Sequence, residues 1–128
     1  VAERVTRDGF LSTANARDVA SIAWAYATLG IKNRALMGAL ARRTLEEGFL
    51  DTFSAKEVGS TAWAYATLDL RHETLLTALA VQTLQPGFLS TFRAPDIAYA
   101  VWAFVASGVK NESLMAALAD HSLQNTFF

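Results

Sequence analysis

The chain contains no cysteine and only two prolines, Pro86 and Pro95, in 128 residues. Without thiols it has no disulfide, no cysteine nucleophile and no thiolate zinc site, and a reducing compartment is compatible with this without being specified by it. Scarce proline in a sequence that is 52% hydrophobic and dominated by Ala and Leu favours packed helices over disorder or an all-β fold. Charge of one sign is lacking too. Eleven Lys and Arg face twelve Asp and Glu, for a formal charge of −1 and a pI near 6.1. The chain as a whole therefore has no attraction for phosphate, whereas many nucleic-acid-binding domains carry a basic face. Long apolar runs are also missing. The longest, Val19 to Ile31 and Ile97 to Val109, span 13 residues each, short of the roughly 18 to 20 that cross a bilayer, so they predict buried core helices and no membrane span. No basic, apolar, small-residue leader follows Val1, so no signal peptide is expected and the chain reads as a processed product or a fragment.

What the sequence does have is a repeat. Placing Phe10, Phe49 and Phe88 in register also aligns Trp24, Trp63 and Trp102, with a period of 39 residues. The units FLSTANARDVASIAWAYATLGIKNRALMGALARRTLEEG and FLDTFSAKEVGSTAWAYATLDLRHETLLTALAVQTLQPG match at about half their positions. The third, FLSTFRAPDIAYAVWAFVASGVKNESLMAALADHSLQNT, keeps the Trp and a Leu-x-x-Ala-Leu-Ala frame.

Each unit carries two helical patterns. Asn15 with Asp18, and Ser54 with Glu57, have the spacing of an N-cap with an acidic residue three positions on, and predict the start of a helix A. Gly30 supplies its left-handed stop. Helix B is predicted from about Asn33 to Glu46, ended by Gly48. Pro95 suits the first turn of the third helix A, although Arg93 is a weaker cap than Asn15 or Ser54. These patterns predict an all-α fold, an α-solenoid of about three 39-residue helical-hairpin repeats. Residues 1–9 would end a preceding repeat, 10–48, 49–87 and 88–126 would form repeats one to three, and 127–128 would start a further one. Because solenoid ends normally need polar caps, a sequence that starts and stops within a repeat is expected to be a segment of a longer array, or one capped by partner subunits.

On a helical wheel, Arg17, Asp18, Ser21, Ala25 and Thr28 fall on one small or polar strip of helix A. The three Trp residues, in Ala-rich surroundings, are expected to be largely buried in equivalent inter-repeat positions. Tyr99 is distinct, because it stands on the strip where Ser21 and Ser60 sit. His72 and His121 do not recur and have no Cys, His or carboxylate cluster around them, so solvated surface is expected for both. Asp18, Glu57 and Asp96 do recur, and a first-turn position accounts for them by capping without acid–base chemistry. The glycines at 9, 48 and 87 are a whole repeat apart and form no phosphate-cradling loop. No enzyme, catalytic residue, metal site, cofactor or small-molecule substrate is expected.

The helix A segments ARDVASIAWAYATLG, AKEVGSTAWAYATLD and APDIAYAVWAFVASG resemble the octotricopeptide repeat, whose helix A has a Leu-Ala-Asn-x-x-Trp-Ala-x-Ala-x-Leu core in a unit of similar length. Ser21, Ser60 and Tyr99 occupy the Asn position of that pattern, and its Pro-rich opening is reduced to Pro95. The resemblance implies a right-handed α-solenoid in a chloroplast or mitochondrial RNA-binding protein that acts in RNA stabilisation, processing or translation. It implies single-stranded RNA as partner, lying along the polar strip of successive A helices. RNA-binding candidates on that basis are Arg17, Ser21, Thr28, Lys56, Ser60, Thr67, Arg93 and Tyr99. The alternative is a structural or scaffold subunit that binds protein partners in a larger organellar complex, with partners or further repeats at both ends. The acidic pI and few clustered cations favour it.

Overall fold

The computed structural model describes residues 13–109 and 111–126, with side chains described as far as His121. The partial repeats expected at 1–9 and 127–128 lie outside these residues. Six α-helices follow in order: α1 (Ala16–Leu29), α2 (Arg34–Thr44), α3 (Ala55–Thr67), α4 (Glu73–Thr83), α5 (Ala94–Ala106) and α6 (Glu112–Thr126). Among the described residues there is no strand. No helix among them is long and apolar enough to cross a membrane. The first residues of α1, α3 and α5, and those of α2, α4 and α6, are each 39 positions apart.

The caps explain these boundaries. Asn15 Oδ1 accepts from the Asp18 N–H at 2.8 Å, and the Asp18 carboxylate accepts from the Asn15 N–H at 3.1 Å. Ser54 and Glu57 exchange the same pair of bonds at the start of α3. At α5 only half of the arrangement exists: the Asp96 carboxylate accepts from the Arg93 N–H at 3.0 Å, while Pro95 in the first turn has no N–H to satisfy. Gly30 ends α1 in the left-handed region at φ 70°. Asp69, its counterpart after α3, takes φ 54° without glycine's freedom. Asn33 and Asn111 cap α2 and α6 through side-chain oxygens, and His72 caps α4 by accepting the Leu75 N–H on Nδ1 at 3.2 Å. The half-buried His72 is thus part of a helix start, not simply solvated surface.

The α1–α3 and α3–α5 contacts are the most extensive helix packings, and α2, α4 and α6 each pack against the helix before them. Small residues make the close approach possible. Ala16, Ala20, Ala23 and Ala27 are buried on α1, and a Cβ placed on Gly59 of α3 would lie 3.3 Å from the Asp96 carbonyl oxygen of α5. Larger buried side chains of the inner helices α1, α3 and α5 (Val19, Val58, Ile97, Phe104) and of α2, α4 and α6 (Leu36, Met37, Leu40, Leu75, Leu79, Leu114, Leu118) join in one hydrophobic core. Short 3₁₀ turns, Leu50–Thr52 and Leu89–Thr91, lead into α3 and α5. In each an edge-to-face phenylalanine pair, Phe49–Phe53 or Phe88–Phe92, pins the turn.

Three polar braces cross between elements. The buried Tyr65 hydroxyl of α3 donates to the Met37 carbonyl of α2. Arg43 donates to the Ala14 carbonyl through Nε and Nη2, pairs with Glu46 at 2.7 Å and lies 3.9 Å above the Phe49 ring. His121 occupies the position equivalent to Arg43 and sits 3.1 Å from the Phe92 carbonyl, the equivalent of Ala14. The solvated-surface expectation for His121 is therefore corrected: its half-buried ring joins α6 to the turn before α5.

The tryptophan expectation is corrected as well. Trp24 is 43% exposed and Trp102 49% exposed, and Trp63 is half-buried. At roughly 100° per residue, the seven residues from Arg17 to Trp24 return to within about 20° of the same direction, so the indole shares the polar strip. Alanine occupies the true inter-helix positions, and the close approach it permits leaves no room there for an indole.

Candidate nucleic-acid interface

The exposed side of α1, α3 and α5 forms a groove of about 660 Å³. Its residues come chiefly from the first two turns of each helix, because the helices run side by side in the same direction and the caps hold their starts level. Six of the eight sequence candidates line it: Arg17, Ser21, Lys56, Ser60, Arg93 and Tyr99. Thr28 and Thr67 are exposed at the other ends of α1 and α3 and do not line it.

The groove also contains residues that the sequence reading left out. Trp24 lines it directly, with Ala20 and Pro95 as small apolar wall and Glu57 and Asp96 as carboxylates. Trp24 and Trp63 have ring centroids 6.4 Å apart, and Trp63 and Tyr99 are 5.8 Å apart, both pairs tilted. The result is an aromatic line running across three helices. Tyr99 completes it by placing a ring where α1 and α3 have Ser21 and Ser60. The wheel positions of Trp24 and Trp63 beside the strip are the signal for this line; their Ala-rich surroundings argue the other way.

Electrostatically the groove is mixed. Arg17, Lys56 and Arg93 face Glu57 and Asp96, and both carboxylates are held at helix starts by N–H donors, where they offset the positive helix ends. Three cations beside planar aromatic surface can take a base by stacking and touch its phosphates singly, but they make no strong phosphate track. Among the described residues no group of three or more His, Cys, Asp or Glu side chains is placed to hold a metal ion.

These features define an all-helical protein whose first, third and fifth helices present one shared aromatic and cationic groove. The chain belongs to the RNA-editing substrate-binding complex 6 protein family (RESC6), whose sequence model matches residues 5–127. Among curated proteins none matches the chain. The family match overturns the octotricopeptide assignment. The Trp-Ala-aromatic-Ala run and the 39-residue spacing reflect alanine-packed inner helices with an indole at their edge, which is a packing solution rather than a family mark. At the Asn position, where that repeat is distinctive, the chain has Ser21, Ser60 and Tyr99. The chloroplast expectation rested on the same resemblance and falls with it.

Proposed function

We propose that the chain is a non-catalytic scaffold subunit of an RNA-editing substrate-binding assembly, built as an α-solenoid segment of three helical hairpins over residues 10–48, 49–87 and 88–126. Family membership across nearly the whole chain carries this reading, and the 39-residue recurrence of helix starts and caps supports the hairpin stack. Its partners are other proteins of the assembly, engaged through helix faces, and the mitochondrion is the compartment that fits such a complex. Co-sedimentation with the assembly tests the scaffold role. Association that survives ribonuclease supports protein contacts, whereas release by ribonuclease would mean that RNA alone holds the chain there.

A second reading is favoured by one observation, the aromatic line with Arg17, Lys56 and Arg93 beside it. On it the groove takes single-stranded RNA, whose splayed bases can reach Trp24 and Tyr99 as those of a closed RNA helix cannot. Changing Arg17, Lys56 and Arg93 together to Ala should weaken retention of a single-stranded library and flatten its salt dependence. Changes at Ser60 and Tyr99 should alter base preference more than salt slope. If the parent retains no RNA at low salt, the groove is no RNA site and the scaffold role stands alone.

A further inference from the structure

The groove repeats one arrangement at two places inside the helix row and completes it at only one of them. Between α3 and α5 the Tyr99 ring lies against the Trp63 indole, with centroids 5.8 Å apart. Between α1 and α3, 39 positions earlier, Trp24 stands for Trp63 and Ser60 for Tyr99. Serine brings no ring, so the place that Tyr99 fills beside one indole is left open beside the other, and Trp24 and Ser60 both line the groove there. Both places lie between helices of the row, so the difference owes nothing to what precedes α1 or follows α5. The chain itself shows what such a place accommodates, namely one flat ring held against an indole. Polar groups stand around it. Lys56 and Glu57 line the same groove, and Glu57, three residues before Ser60, shares its face of α3. Glu57 Oε1 accepts the Ser54 N–H at 2.9 Å, which steadies the carboxylate and leaves its second oxygen as an acceptor.

We infer that this slot holds one unpaired guanine of an RNA strand, set against Trp24 as Tyr99 is set against Trp63. The assignment rests on the RNA reading of the groove and narrows it to a base. Stacking on an indole tolerates any base, because every base has a π-face. The choice therefore falls to the groups at the rim. Guanine has two neighbouring N–H donors on its Watson–Crick edge, which a carboxylate accepts as a pair, and beside them a carbonyl oxygen that takes the Lys56 ammonium or the Ser60 hydroxyl. Uracil offers one donor between two acceptors. Adenine and cytosine each set an amino group beside a ring nitrogen whose lone pair the Glu57 carboxylate repels. Trp24 thus supplies affinity and Glu57 supplies the selection.

Titration of the 128-residue chain with uridine octamers, with and without one central guanosine, tests this at low salt. The guanosine octamer should bind about tenfold tighter, within the range for one bidentate contact to a base. Ser60→Tyr fills the slot with a ring in the arrangement the chain already makes at Tyr99, and should bring the ratio of the two affinities to about one. Glu57→Gln keeps an acceptor for the helix cap but puts an amide N–H2 where guanine needs an acceptor, and should also erase the preference. Equal binding of the two octamers by the parent would overturn the guanine slot and leave the RNA reading standing, whereas binding of neither would overturn both. A preference that survives in Ser60→Tyr would overturn the slot as well. Should circular dichroism show that Ser60→Tyr has lost its helices, Glu57→Gln decides, and a preference kept there overturns the proposal.

Discussion

Replacing Trp63 by Ala separates the observed packing from the one that indole hydrophobicity suggests. Were the three tryptophans equivalent core residues, each substitution would cost about 3 to 5 kcal/mol, the range for large aromatic side chains removed from a packed interior. Trp63 is instead half-buried, with Trp24 on one side and Tyr99 on the other. Its removal exposes apolar surface and breaks two ring contacts worth about 0.5 to 1.5 kcal/mol each, but the space left behind opens to the groove and admits water, so the cavity cost is small. The expected loss is about 2 to 3 kcal/mol. For Trp102, which is 49% exposed on α5, it is about 1 kcal/mol, since surface that was already wet contributes little when removed. Urea unfolding of both variants, followed by far-ultraviolet circular dichroism, measures the difference. Equal losses of about 4 kcal/mol would refute the groove placement, and a neutral Trp63→Ala would refute the aromatic line.

Tyr65→Phe should cost about 1 to 2 kcal/mol, since it leaves the buried Met37 carbonyl without its hydroxyl donor. Burial raises the Tyr65 pKa above its ordinary value of 10.0, so its contribution is fully present below about pH 10 and is lost as pH rises beyond it; Tyr65→Phe should flatten the alkaline decline in a pH series of melts. Asp69→Gly should stabilise by up to about 1 kcal/mol by relieving a non-glycine residue at φ 54°, and a loss in the same melt would show that the exposed Asp69–Arg71 ion pair at 3.7 Å outweighs that relief. His72→Asn, which restores the cap of α2 and α6, should raise stability by a few tenths of a kcal/mol or leave it unchanged; a loss above about 1 kcal/mol would mean that the imidazole packs as well as caps.

The helices were legible because their signals are local. Asn15 with Asp18, Ser54 with Glu57, and Asn33 ahead of the Leu36–Leu40 stripe each fix a boundary within a few residues, and the structure places α1, α2 and α3 there. The 3₁₀ turns were not, since Leu50–Thr52 and Leu89–Thr91 are held by phenylalanine pairs and threonine hydroxyl bonds that have no periodic pattern. Much of the groove is visible as a polar strip, yet the Ala-rich surroundings of Trp24 point to the core, because the same alanines that bury one side of the helix also flank the indole at its edge. His121 was missed for a different reason: its partner, the Phe92 carbonyl, is 29 residues away, and backbone acceptors leave no trace in side-chain patterns. Family identity was beyond a repeat period and a single aromatic run, because unrelated chains that solve the same packing problem converge on both.

A surface made of equivalent helices poses a phase problem for any extended ligand, because a strand seated across α1 and α3 would find nearly the same surroundings one helix further along. Tyr99 removes that degeneracy. With serine at the two earlier positions and a ring at the third, a step along the row exchanges a hydroxyl for an aromatic ring tilted against Trp63. The groove thereby acquires an origin and a direction, and an extended ligand laid in it has one frame in which its bulkiest group avoids the tyrosine ring or stacks on it.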